Sequence, residues 1–248
     1  GYVIRKIKDT KSLSKIRKLF VKSIKKNIKK KINFKKEEDI FNFIHKKIEI
    51  NELNSFRLRI INDINKSKNI RMLYYKISRP ILDVILGNEL AMQLRINLSI
   101  QIPKDDSSLL PIHSDVWSGD SPFETVVWLP LVNCFKTKSM FILPPSKYNK
   151  IKTLFLKKKS SSSEEIFKKI KKHLTWIKIN YGEVLIFNQC LPHGNIVNFE
   201  EETRWTLNCR FKSVFSPYSD KKIGEFFEPI TLREISKLAI HYELPKIS

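Results

Sequence analysis

AMQLRINLSIQI, residues 91–102, alternates Leu94, Ile96, Leu98, Ile100 and Ile102 with Gln93, Arg95, Asn97, Ser99 and Gln101. A two-residue repeat of this kind marks a strand with one apolar and one polar face. Further strand signals follow at TVVWLPLV (125–132), SMFIL (139–143), TWIKI (175–179), EVLIF (183–187) and RWTLNCRFKSVF (204–215). Upstream the period is helical. Leu13, Ile16, Phe20 and Ile24 recur at about 3.6 residues, as do Ile40, Ile44 and Ile48, and then Phe56, Ile60 and Ile64. A further helix, RPILDVIL, is expected to stop at Gly87, where a left-handed C-cap costs little.

One helix is expected to interrupt the strands. SSSEEIFKKIKKHL opens on a capping-box pattern, Ser162 with Glu165, and carries Ile166 and Ile170 on one face. The low-complexity patch KKKSSSSEE before it reads as a loop, and TLREISKLAIHYE near the C-terminus as a last helix. Helices first and many short strands after them indicate an α+β chain with an antiparallel sandwich or jelly-roll barrel at its centre. At 248 residues it reads as a single domain over 1–248. Its parts are a helical region (1–90), a core (91–230) and a C-terminal helix (231–248).

Lys and Arg number 47 against 25 Asp and Glu, a formal net charge of +22. Lysine supplies most of the excess, in a sequence also rich in Ile and Asn, which looks like a low-GC coding bias. An anionic partner would still answer the field. Cys134, Cys190 and Cys209 are odd in number and form no CxxC pair, so neither a disulfide framework nor a structural zinc site is implied. A cytoplasmic location fits. No apolar run reaches the 18 or so residues of a membrane span, and the N-terminus lacks a signal-peptide pattern. The start at Gly1 suggests a trimmed chain.

Chemistry enters with the histidines, of which there are five. His45 sits among lysines and reads as a solvated surface residue, His173 as a helix-end residue and His241 as a structural residue of the last helix. In IHSDVWSGDSPFE (112–124), His113 and Asp115 are two residues apart, which in an extended segment aims both side chains to one side. His193, in FNQCLPHGNIVN, directly follows an apolar strand. Two imidazoles and one carboxylate leave open positions on an octahedral ion, as in non-haem Fe(II) oxygenases. Arg204, eleven residues after His193, shares a strand face with Thr206, Asn208 and Arg210. A buried guanidinium there would hold the far carboxylate of a keto acid through paired hydrogen bonds.

Other polar residues are candidates for the same pocket. Asn97 and Gln101 lie on the polar face of the first core strand and could line a cofactor or substrate site. Thr137 or Ser139 could give a hydroxyl to the keto acid, while Trp117 and Asp120 are placed to meet a substrate, an aromatic face and a carboxylate suiting a sugar ring.

His113-x-Asp115, His193 and Arg204 together resemble the Fe(II)/2-oxoglutarate-dependent dioxygenase superfamily, in particular its phytanoyl-CoA dioxygenase-like branch. Within it, NLSIQIPKDDSSLLPIHSDVWSGDSPFETVVWLPLV, KSMFILP, HGN, TRWTLNCRFKSVFSPY and GEFFEP look like oxygenases of sporadic carbohydrate-biosynthesis clusters. The likeness covers roughly residues 91 to 230. It implies a double-stranded β-helix, cupin-like, with iron on His113, Asp115 and His193, and 2-oxoglutarate on the iron and Arg204. It also implies O2 as co-substrate, with succinate and CO2 formed as a substrate carbon is oxidised. The halogenases of the superfamily have a small residue in place of the carboxylate, so Asp115 favours hydroxylation or a related oxidation. One departure is PPSKY (144–148), where the branch often has Pro-Gly-Ser-His, so no role passes to Ser146 or Lys147.

Two other readings stay open. A nucleic-acid oxidative demethylase of the AlkB type carries two arginines separated by five residues on its last strand, a spacing that Arg204 and Arg210 satisfy. A cupin-like binding module without oxygenase chemistry would share the fold. For the oxygenase reading the substrate is a small molecule of carbohydrate type, such as a nucleotide sugar, a lipid-linked glycan intermediate or an aminocyclitol. A phosphate on it would answer the positive charge.

Overall fold

The computed structural model describes residues 1–28, 30, 33–156 and 162–244. Its central strand is β9 (Arg204–Ser213), which divides the molecule into a packed side and a hollow side. The larger sheet runs β1 (Tyr2–Lys6), β7 (Glu183–Asn188), β4 (Thr125–Pro130), β9, β2 (Leu90–Gln93) and β10 (Phe227–Thr231), with β3 (Asn97–Gln101) also paired to β9. A smaller sheet has the order β6 (Thr175–Trp176), β5 (Phe141–Ile142) and β8 (His193–Gly194). All these pairings are antiparallel.

The packed side is covered by helices α1 (Thr10–Asn27), α2 (Glu37–Asn42), α3 (Leu53–Asn65) and α4 (Ile70–Ile85). Trp205 is fully buried and meets Phe20, Phe41 and Phe56, one from each of the first three helices, edge to face at 5.4 to 6.2 Å. From α4, the Tyr74 hydroxyl donates to the carbonyls of Val127 and Leu207. Residues from Ile7 to Phe211 therefore share one apolar cluster. Strand β4 is buried throughout, Val127 and Leu129 completely, while Val126 and Trp128 face the hollow side. Burial on both faces explains its unbroken apolar run.

Four readings within residues 1–102 need correction. The 91–102 stretch is two strands rather than one. Between the pairs Met92↔Phe211 and Asn97↔Asn208 it advances five residues against three on β9, an irregularity that keeps the same faces in and out. The segment from Ile40 to Ile48 does not run on as one helix. Here the Asn42 carbonyl accepts the Thr203 N–H and the Phe41 carbonyl accepts the Trp205 indole N–H, so β9 takes the acceptors a longer α-helix would use. A 3-10 turn (Ile44–Lys47) follows, and half-buried His45 bonds the Thr203 hydroxyl through Nδ1 at 2.8 Å instead of standing free in solvent. Helix α4 begins nine residues before RPILDVIL and carries Pro80 inside it on an exposed position; Ile70, Tyr74 and Ile77 supply its upstream apolar face.

Two helices rather than one interrupt the strands. PPSKY opens α5 (Pro145–Leu156), with Pro145 at the first helical position where its missing N–H costs nothing. Helix α6 (Ser163–Ile170) has the expected capping box, Ser162 with Glu165, and the residues 157–161 of the expected loop lie outside the described residues. His173 closes a 3-10 turn after α6. The last helix, α7, spans Glu234–Ile240, and His241 is its exposed C-cap rather than a structural residue. Strands β1 and β10 were not foreseen.

Candidate metal centre

His113 and His193 face each other across the hollow side as an antiparallel backbone pair. Each main-chain N–H donates to the other residue's carbonyl, at 2.9 and 2.8 Å. Directly opposed residues put their side chains on one face, and the two imidazole rings lie 4.4 Å apart. Both rings are turned the same way. Nδ1 of His113 bonds the Pro111 carbonyl and Nδ1 of His193 the Leu191 carbonyl, each at 2.8 Å. A carbonyl only accepts, so Nδ1 carries the proton and Nε2 keeps its lone pair for a metal.

Asp115 joins them, with Oδ1 3.7 Å from His113 Nε2. One ligand atom from each of the three residues lies within 4.8 Å of the others, a spread that a single metal ion can bridge. Burial pushes the His193 imidazolium down to about 4, Asp115 opposing and His113 reinforcing the shift, so this ring is neutral at neutral pH. Extended backbone at Ser114 carries the chain from His113 to Asp115.

The position after His193 needs a glycine. A Cβ on Gly194 would stand 2.7 Å from the Leu110 carbonyl oxygen and 3.0 Å from the Phe141 ring. Gly194→Ala is expected to push β8 away from residues 110–113 and part the two imidazoles. It should weaken Co(II) binding at least tenfold and lower stability by about 1–3 kcal/mol, measured by metal titration and chemical unfolding. An unchanged metal affinity would show that β8 can give way without moving His193.

A cavity of about 240 Å³ opens beside the three ligands. One wall is polar, with the uncharged Asn97, Ser99, Thr206 and Asn208 of β3 and β9 and the two arginines of β9, Arg204 and Arg210, beside them. The other is apolar, with Leu110, Val126, Trp128, Met140 and Phe187. Across the strand pair, Asn97 Nδ2 donates to Asn208 Oδ1 at 2.9 Å.

The two arginines of β9 have different neighbours. Arg204 is 2 % exposed, donating from NH1 to the Ser139 carbonyl and from NH2 to the Ser99 hydroxyl, each at 3.0 Å. Its Nε and the buried Ser139 hydroxyl have no protein partner. Among the described residues no carboxylate pairs with Arg204, and burial lowers its pKa to about 10, which leaves it a cation at neutral pH. Arg210 also lines the cavity, but its NH2 lies 3.1 Å from Asp115 Oδ1 and 3.4 Å from Asp120 Oδ2, and its Nε donates to Gln189 Oε1 at 3.0 Å. Arg204 is therefore the guanidinium left for an incoming anion.

The remaining candidates divide. Asn97 is on the cavity wall. Ser139 touches Arg204 through its carbonyl. Thr137 does not reach the cavity: its hydroxyl donates to Glu200 and accepts the Phe199 N–H. Gln101 is buried behind the wall, held by the Ile196 carbonyl at 2.7 Å. Trp117 sits on a 3-10 turn (Asp115–Ser118), 38 % exposed and off the cavity wall. Asp120 is 4 % exposed and joined to Arg210 and Lys221, so it braces the segment that carries His113 and Asp115 instead of standing open to a substrate.

Sequence reading missed Gln189 and Glu124. Gln189 Nε2 donates to Glu124 Oε2 at 2.9 Å while Gln189 Oε1 accepts from Arg210, so the pair extends the support of Asp115 inward. Burial raises the Glu124 pKa, Gln189 opposing it. The only signal for Gln189 was a second polar residue, after Asn188, just past the end of an apolar strand.

No family model matches this chain, and no curated protein matches it. Solved structures do. The chain is similar to a nickel complex of the non-heme monooxygenase ThoJ, at 13 % identity with a TM-score of 0.57, over 94 % of this chain and 81 % of that one. It is similar to EctD from S. alaskensis with 2-oxoglutarate and 5-hydroxyectoine, at 13 % identity and a TM-score of 0.54, over 88 % and 74 %. HygX from Streptomyces hygroscopicus, with nickel and 2-oxoglutarate bound, matches at 11 % identity and a TM-score of 0.50, over 88 % and 85 %. These likenesses establish the cupin-like fold.

Proposed function

We propose that this chain is an Fe(II)- and 2-oxoglutarate-dependent oxygenase acting on a neutral, hydroxyl-bearing small molecule of carbohydrate type. The observation that carries it is the pairing of a two-imidazole, one-carboxylate face with a buried, carboxylate-free guanidinium on one cavity. The residues fit the group. His113, Asp115 and His193 would hold iron, and Arg204 Nε, with the Ser139 hydroxyl beside it, offers an unsatisfied buried cradle for the far carboxylate of 2-oxoglutarate. When bound, iron with 2-oxoglutarate and O2 supplies the oxidising power for a substrate C–H bond.

The protein's own part is orientation and exclusion of water. Arg210, fixed by Asp120 and Gln189, holds one oxygen of Asp115 in place. Leu110, Val126, Trp128, Met140 and Phe187 keep one side of the cavity dry. The Asn97–Asn208 amide pair and the hydroxyls of Ser99 and Thr206 suit substrate hydroxyl or carbonyl groups. A phosphate meets no free cation on this wall beyond Arg204, so any phosphate on the substrate would lie outside the cavity.

The test is anaerobic titration of the metal-free protein with Fe(II) and 2-oxoglutarate, following the weak visible charge-transfer band of the chelated keto acid. Arg204→Ala is expected to raise the half-saturating 2-oxoglutarate concentration by about 10–100-fold, the loss of roughly 1.5–3 kcal/mol of charge-assisted hydrogen bonding, with Fe(II) binding retained. An unchanged requirement would transfer the anchor to Arg210. Absence of both band and iron binding would favour a binding module. The AlkB-type reading rests on the spacing of Arg204 and Arg210 alone; the uncharged amide and hydroxyl groups between them on the cavity wall favour a small hydroxyl-bearing substrate.

A further inference from the structure

Helix α7 is the least covered helix among the described residues. Only Ser236 in it is buried, while Ile235 and Leu238, three residues apart on one side, are each 75 % exposed. The helix is fastened to the loop between α4 and β2: Glu89, four residues beyond the end of α4, accepts the Arg233 N–H and bonds the Ser236 side chain. The last turn of α4 leaves its own apolar side chains in solvent, Val84 at 81 % and Ile85 at 48 %. Arg5, Lys6 and Lys8 border a shallow groove floored by Ile81 and Val84. No carboxylate forms an ion pair with these three cations among the described residues, and the nearby acids are committed elsewhere, Asp83 to Arg79 and Asp9 to Ser12.

Apolar side chains standing in water beside free cations mark a surface that something covers. Charge decides what. A second copy would bring two faces of a chain with net charge +22 against each other. Nucleic acid would use the cations and gain nothing from Val84 or Leu238. An anionic phospholipid surface uses both, because its headgroups attract Lys and Arg while the acyl boundary accepts aliphatic side chains. No helix among the described residues is long and apolar enough to cross a membrane, so contact would be lateral.

We propose that α7 and the C-terminal turn of α4 dock this protein onto an anionic bilayer surface, with Val84 and Leu238 entering the headgroup–acyl boundary and Arg5, Lys6 and Lys8 on lipid phosphates. The experiment is flotation of the full chain with vesicles of phosphatidylcholine alone and of phosphatidylcholine with phosphatidylglycerol. Binding to the mixed vesicles should exceed that to the neutral ones at least tenfold. The triple change Arg5→Gln, Lys6→Gln, Lys8→Gln should lower it at least tenfold, and Val84→Ser with Leu238→Ser about fivefold, both without altering the thermal melt. Three results would overturn the proposal. They are equal binding to both vesicles, full binding by the serine pair, and a wild-type dimer that the serine pair dissociates. Duplex DNA binding lost in the triple variant, with no vesicle binding, would assign the cations to nucleic acid instead.

Discussion

His193→Ala is expected to abolish iron binding and, with it, turnover of 2-oxoglutarate. Changes to the outer partners of a metal ligand alone cost about 10–100-fold in metal affinity, and loss of the ligand itself should exceed the upper end of that range. The ring is held by the Leu191 carbonyl on one side and packed 5.0 Å from the Phe187 ring on another, and among the described residues no further His, Cys, Asp or Glu joins the cluster to replace its Nε2. The backbone pairing with His113 survives the change, which keeps the effect local. His113→Ala and Asp115→Ala should behave alike. Metal content after dialysis, together with Co(II) titration, reads the result directly, and Thr137→Ala, outside the cavity, is the control. Iron retained at near wild-type affinity in any of the three ligand variants would remove that residue from the centre.

The largest expected loss of stability is at Trp205. Removing a fully buried tryptophan typically costs about 3–5 kcal/mol, and total stabilities run at about 5–15 kcal/mol, so Trp205→Ala should unfold at far lower denaturant. Two contributions add here. Three edge-to-face contacts to Phe20, Phe41 and Phe56 disappear, and the Phe41 carbonyl loses its indole donor in a buried place. Trp205→Phe should retain part of the aromatic packing and cost less, which separates lost volume from lost hydrogen bond. A midpoint shift equivalent to less than about 1 kcal/mol would mean that the helices repack over the gap.

How much of this could be read beforehand follows from distance along the chain. The alternation in β9 separated Arg204, Thr206, Asn208 and Arg210 from Trp205, Leu207, Cys209 and Phe211 correctly, because a strand's two faces are a local property. The grouping of His113, Asp115 and His193 was readable for a related reason: His113 and Asp115 are two residues apart, and His193 follows an apolar strand whose end the fold brings across to them. What failed depended on remote partners. Asp120 looked like a substrate ligand until Lys221 and Arg210 were seen against it. The split of 91–102 into two strands depends on what β9 offers opposite, and the early end of α2 on carbonyls taken by Thr203 and Trp205. Helix α5 was hidden by its opening prolines, which read as a turn unless the following residues are weighed with them.

The two faces of β9 also bear on how this protein could change over time. Even-numbered positions along Arg204–Arg210 look into the cavity, and odd-numbered ones into the helical layer. Selection for a new substrate can therefore act on Thr206 and Asn208 while the neighbouring Trp205, Leu207 and Cys209 keep the chain folded. Because the packing residues face the helices and not the cavity, a single strand lets the chemistry diverge while the scaffold's apolar layer is kept.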